Sequence, residues 1–250
     1  PIDGLAHSTL LHAPFSGDSD AVAGVLSAVS FPEGGDGDRP TDDLDADTRR
    51  SIASCVALAV ASDGDAPPRA ADAVERVLRP YATPDAPVAT LGGLADVLTA
   101  VARERPGTGV ALVLGHGGRA AAFDAWRAHG ATVHDALESA PTERHDGVFV
   151  IRARNGSAAD AVADSPGRLA TLARLARDFR SPEPLVVALG DGVAAVSARE
   201  SGAADAAATL AAEFPATDGT WTGGPTRALA RIDLDASVPD VVAAIRGRSM

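Results

Sequence analysis

Five consecutive apolar residues, Leu185-Val186-Val187-Ala188-Leu189, lead into Asp191-Gly192, and a second apolar run follows from Val193 to Ser197. An Asp-Gly pair between two such runs is a strong short-range signal of a β-hairpin, because the favoured two-residue turns need positive φ. The first run is apolar throughout, the pattern of a strand inside a sheet rather than on its surface. The flanks read as more strand and helix. Val148 to Ile151 is a strand, and Gly167 to Arg180 a helix with Leu169, Leu172, Leu175 and Ala176 on one side. Gly202 to Phe214 reads as a helix, Arg227 to Leu234 as a strand and Val238 to Arg246 as a closing helix. Helices mixed with strands, one pair joined by a hairpin, predict an α/β (α+β) domain with a small mixed sheet.

Upstream the pattern is helical. Asp18 or Ser19 caps a helix to about Ser30, a second runs from about Asp45 to Ala61, and Pro67-Pro68 opens a third through Leu78. Leu91 to Glu104, Arg119 to His129 and His134 to Ser139 are further helical stretches. Residues 32–43 read as a polar loop and Pro80 to Pro87 as extended chain. The expected division is a mainly helical region over 1–140 and an α/β domain over 141–250, with the boundary in the polar stretch Ala140 to Asp146.

Composition narrows the class. No apolar run approaches the length of a membrane span, and the N-terminus lacks a basic segment followed by an apolar one, so the expected location is cytoplasmic. The start at Pro1 suggests a fragment or a processed start. One cysteine, Cys55, excludes a disulfide scaffold and a cysteine-based zinc site. The chain has 26 Asp, 8 Glu and 22 Arg but no Lys, and its net charge is −12. This composition resembles that of haloarchaeal proteins, in which acidic surfaces keep the chain hydrated, and it predicts stabilisation by molar salt. The charge is uneven. Residues 1–140 carry −10, from 10 Arg, 16 Asp and 4 Glu, while residues 141–250 carry only −2, from 12 Arg, 10 Asp and 4 Glu. A region kept less acidic is a candidate surface for an anionic ligand.

Two glycine-rich stretches bear on function. Gly109 to Arg119 mimics a strand, a glycine turn and a helix start, an order that brings backbone N–H groups to a phosphate. It lacks the full dinucleotide spacing and the P-loop lysine, so a helix-to-helix turn is the stronger reading of Gly115 to Arg119. A small-molecule or nucleotide-binding enzyme built on that turn is the alternative function. The six histidines do not form a ligand set by spacing, and no serine sits in a G-x-S-x-G elbow. The second stretch carries more. Ser197 and Arg199 end one strand, and Gly223-Gly224 precede another that opens with Arg227. A glycine turn allows close approach to a phosphate, Ser and Arg side chains can grip the same group, and Trp221 can stack on a base.

Residues 185–233 resemble the DHH-associated nucleic-acid-binding domain of RecJ-like phosphoesterases. Ser197-Ala198-Arg199 is similar to that family's Ser-x-Arg element. Residues 222–230, Thr-Gly-Gly-Pro-Thr-Arg-Ala-Leu-Ala, are similar to its glycine-rich turn, with Pro225 where the family has His and Ala230 where it has Gly. Upstream, Asp3-Gly4-Leu5-Ala6-His7-Ser8 and Pro14-Phe15-Ser16-Gly17-Asp18 resemble the segment that leaves the catalytic half of archaeal members. The resemblance implies single-stranded DNA or RNA as ligand, bound by Ser197, Arg199, Trp221, Gly223, Gly224 and Arg227. It implies a role in DNA replication or repair, with a RecJ-family catalytic partner or replicative helicase components as protein partners. The family's exonuclease chemistry uses Mn or Mg held by Asp and His clusters, including an Asp-His-His triplet that this sequence lacks. The expectation is therefore a non-catalytic binding region without a metal or other cofactor of its own, or else a structural partner of a catalytic paralogue.

Overall fold

The computed structural model describes residues 2–31, 44–78, 81–83, 88–153, 157–217, 219–233 and 237–247. The chain divides into two compact units, Pro1–His134 and Asp135–Met250. The division falls inside a helix, a few residues before the polar stretch where the sequence places it.

The first unit is helical: α1 (Ile2–His7), α2 (Ser19–Leu26), α3 (Ala46–Ala61), α4 (Ala70–Val77), α5 (Leu91–Glu104), α6 (Pro106–Val113) and most of α7 (Arg119–Ser139). Side chains cap helices α2 and α3, the former where the sequence places its cap. Asp18 accepts from the N–H groups of Asp20 and Ala21, and Asp45 accepts from Thr48 N–H at 2.7 Å. That bond holds the Asp45 carboxyl below its ordinary value. The two expected stretches 119–129 and 134–139 are one helix. Gly130, just past the expected end at His129, is where α1 crosses: a Cβ there would lie 2.1 Å from the His7 carbonyl oxygen. The expected loop 32–43 lies outside the described residues, as does most of the extended stretch 80–87.

The second unit contains β1 (Thr142–His145), β2 (Val148–Arg152), α8 (Ser157–Ala163), α9 (Pro166–Phe179), β3 (Leu185–Leu189), β4 (Val193–Ala198), α10 (Ala203–Glu213), β5 (Trp221–Gly223), β6 (Arg227–Arg231) and α11 (Val238–Gly247). The strands form one mixed sheet in the order β1-β2-β3-β4-β6-β5. Only β2 and β3 are parallel, joined by the α8–α9 crossover, and the other pairings are antiparallel. The β3–β4 hairpin has the two-residue Asp191-Gly192 loop, with Gly192 at φ 72° and Gly190 N–H bonded to Val193 O. One face, with Val150, Val187, Val196 and Ala230, packs on α10 and α11. Strand alternation sends Phe149, Ile151, Val186, Ala195 and Ser197 to the other face, where α9 lies over β3 and β4.

Strands β1 and β5 were not expected. Both are edge strands of three or four residues with exposed or half-buried side chains, so neither shows the apolar pattern of an inner strand. Helix α8 was also missed. Its predominance of alanine gives no apolar stripe. Among the described residues no helix is long and apolar enough to cross a membrane.

Candidate functional site

The end of β4 and the β5–β6 hairpin bring most of the sequence-derived residues together. Ser197 lies directly opposite Arg227 in the β4–β6 ladder. Arg199 follows two residues on, just past the end of β4, and its N–H bonds to Pro184 O. Arg199 and Arg227 are both exposed. Ser197 is not a surface group, as a phosphate-gripping serine was expected to be. It is 1% exposed, on the α9 side of the sheet, and its hydroxyl has no hydrogen-bond partner. Next to it, Arg177 of α9 donates to Ala198 O at 3.1 Å and is held by both carboxylate oxygens of Asp178.

The glycines play different parts from those expected. Gly223 has φ 137°, and a Cβ there would lie 2.4 Å from Arg227 O and 2.5 Å from Ala228 Cα. The hairpin can close only with glycine at this position. The Gly224 N–H is not free for a ligand, because it bonds to Arg227 O at 2.8 Å. The ladder alternation instead turns the Gly223 N–H off the edge of the sheet. Trp221 is 45% exposed on β5. Its register partner is Ala230, so it belongs to the α10 face and not to the face of Ser197 and Arg227. The expected set therefore splits: Ser197 and Arg227 share one face, with Arg199 close by in sequence, and Trp221 lies on the other.

Most of the described arginines of this unit are engaged. Arg144 pairs with Glu183, Arg152 with Glu143, Arg177 with Asp178 and Arg180 with Glu138. Arg168 and Arg246 donate to backbone carbonyls. Arg199, Arg227 and Arg231 have no carboxylate among the described residues within ion-pair distance. Acidic residues outnumber basic ones in this chain, so a shortage of acids does not explain three unpaired cations. Sequence reasoning missed Arg231, although its even spacing from Arg227 on a predicted strand put the two on one face.

The other glycine turn lacks the setting a nucleotide site needs. Pro106–Val113 is helix α6, where the mimicry expected a strand, and Gly115, Gly117 and Gly118, all at positive φ, connect it to α7. The helix-to-helix reading holds. Among the described residues no group of three or more His, Cys, Asp or Glu side chains is placed to hold a metal ion.

The first unit carries a buried polar network that the sequence did not reveal. Asp96 of α5 accepts from Thr9 N–H (3.0 Å), Thr9 Oγ1 (2.6 Å) and Trp126 Nε1 (2.8 Å). His129 Nδ1 lies 2.8 Å from Glu104 Oε1. His12 and His134 stack, with their Nδ1 atoms 3.1 Å apart, and His134 Nε2 lies 3.1 Å from Ser8 O. His7 packs edge-on against Trp126 and sits near Asp3, which pairs with Arg127. Burial holds the His7 imidazole below its ordinary value; Asp3 raises it and Arg127 lowers it in smaller measure. These contacts join α1 and the loop after it to α5 and α7.

Residues 140–247, nearly the whole of the second unit, match the family described as "Uncharacterized protein rrnAC1427, C-terminal domain". The chain is also 45% identical over 245 residues to "Uncharacterized protein rrnAC1427" of Haloarcula marismortui, a match covering 98% of this chain and 59% of that protein. The chain thus spans about three fifths of the length of the curated relative it matches. That relative comes from a haloarchaeon, in keeping with the lysine-free, Asp-rich composition.

Proposed function

We propose that residues 135–250 form a single-stranded nucleic-acid-binding unit of the RecJ-like, DHH-associated kind, acting in DNA replication or repair in the cytoplasm. One observation supports this reading above the others: Arg199, just past the end of β4, and Arg227, at the start of β6, are exposed and have no carboxylate partner among the described residues. Such guanidiniums can donate to a phosphate without first breaking an ion pair. The Gly223 N–H, pointing off the sheet edge, adds a backbone donor. Trp221 acts from the other face, as a stacking surface for a base at the sheet edge. In this reading cleavage belongs to a catalytic half or partner elsewhere, and the partners are RecJ-family or replicative-helicase proteins.

The test is fluorescence anisotropy with a labelled oligothymidylate at several salt concentrations. The Arg199→Ala/Arg227→Ala double variant should bind at least about tenfold more weakly and lose part of the salt dependence, since each phosphate contact releases counterions. Wild-type affinity in that variant would exclude this site. The chain incubated with Mn²⁺ or Mg²⁺ should leave the oligonucleotide intact.

A further inference from the structure

Arg231 extends the cationic face that Arg227 begins. Resting on the reading above, we propose that β6 is a two-point track for the backbone of a single-stranded nucleic acid, with Arg231 gripping a second phosphate. Along β6 the residues run exposed, buried, half-buried, buried, exposed. Arg227, Leu229 and Arg231 therefore share one face, and Ala228 and Ala230 the other. This is the face on which Ser197 lies. Burial falls from complete along β4 to half at Leu229, so α9, which packs mainly on β3 and β4, leaves β6 only partly covered.

The spacing decides what kind of ligand fits. Four residues of strand separate the two arginine Cα atoms by roughly 13–14 Å. Side chains on a strand stand roughly perpendicular to the sheet, so the two guanidiniums do not converge on one group. They suit two phosphates of one chain, and Leu229 between them offers an apolar floor for the intervening sugar. Neither arginine is tied up by a carboxylate among the described residues, so no intramolecular ion pair has to break. A flexible single strand can lie along such a flat strip, whereas a duplex carries its phosphates around a cylinder.

The experiment compares a thymidine dinucleotide with an oligothymidylate of about twelve nucleotides, within the usual site size, by fluorescence anisotropy across a salt series. Arg231→Ala should weaken the longer ligand about tenfold, lower its log–log salt slope by about 0.7 and leave the dinucleotide unchanged. Arg231→Lys should keep the slope. Arg49→Ala changes the charge equally at an exposed position of the other unit and should have no effect. If Arg231→Ala binds the longer ligand as wild type does while Arg227→Ala weakens it, the track is wrong and the site beside Ser197 stands. Equal weakening by Arg49→Ala would also overturn the track, since it would show a diffuse charge effect. A wild-type chain that binds neither ligand removes the site itself and the track with it.

Discussion

In the first unit His12, His129, His134 and Asp96 are all buried and all engaged in polar contacts. In the second, the sheet face under α10 and α11 is lined by alanine, valine and leucine, and on the opposite, α9 face Ser197 is buried with no hydrogen-bond partner. The difference follows from backbone chemistry. A helix satisfies its own backbone, so only side chains can specify how two helices cross. Alanine-rich helices have few large side chains for that purpose, and directional hydrogen bonds between helices take over. A sheet fixes its neighbours through the ladder itself. Its interior can remain apolar, and a polar atom left there has no part in specifying the fold.

The sharpest way to break this comparison is to delete one polar group in each unit. Asp96→Ala removes the acceptor of three hydrogen bonds, two from Thr9 and one from Trp126, and should cost about 3–5 kcal/mol. Ser197→Ala removes a hydroxyl that bonds to nothing and should be neutral or stabilising by about 1 kcal/mol. Urea unfolding reads both, because Trp126 reports on the first unit and Trp221 on the second. Similar losses from the two substitutions would mean that the contrast is false.

The next largest effect is steric. Gly130→Ala drives a Cβ into the His7 carbonyl and should cost about 2–4 kcal/mol by pushing α1 off α7. Gly4→Ala, with open space around it, should cost nothing. In the other unit Gly223→Ala should destabilise the hairpin while Gly224→Ala is tolerated, a pair that circular dichroism melts would separate. Equal melts for the two hairpin variants would contradict the packing seen at Gly223.

The smallest effect is a pH dependence confined to the first unit. Burial depresses the His7 value in the folded state, so the unfolded chain takes up this proton first as pH falls below 6.5. Stability from this group is fully present above that pH and declines through the window down to the folded value. His7→Phe should flatten the urea midpoint between pH 7.5 and 5.5 relative to wild type. An unchanged slope would show that His7 does not carry the effect.

Much of the second unit was legible because its signals are local. The Asp191-Gly192 turn, the run from Leu185 to Leu189 and the leucine stripe of α9 each announce themselves within a few residues. Edge strands β1 and β5 do not, because exposure erases alternation. The site was half legible. The strands that carry Ser197 and Arg227 could be read from the sequence, but their pairing in register, the burial of Ser197 and the side on which Trp221 falls depend on pairings far apart in sequence. The gap between the two expected helical stretches closes for a related reason: Gly130 sits inside α7 where α1 crosses it, a contact no local pattern shows. The Asp96 and histidine contacts bridge residues as many as 126 apart, and no spacing rule connects such positions.

The stacked pair of His12 and His134 has a spectroscopic consequence. His134 Nε2 faces the Ser8 carbonyl and must carry hydrogen, so in the neutral ring its Nδ1 is a lone pair. The hydrogen between the two rings then belongs to His12, which is fixed as the Nδ1–H tautomer. Both side chains are almost wholly sealed from water. That proton should therefore exchange slowly enough to give a resolved downfield imidazole resonance, coupled to a ¹⁵N nucleus of His12 and not of His134, which would mark the folded first unit in solution.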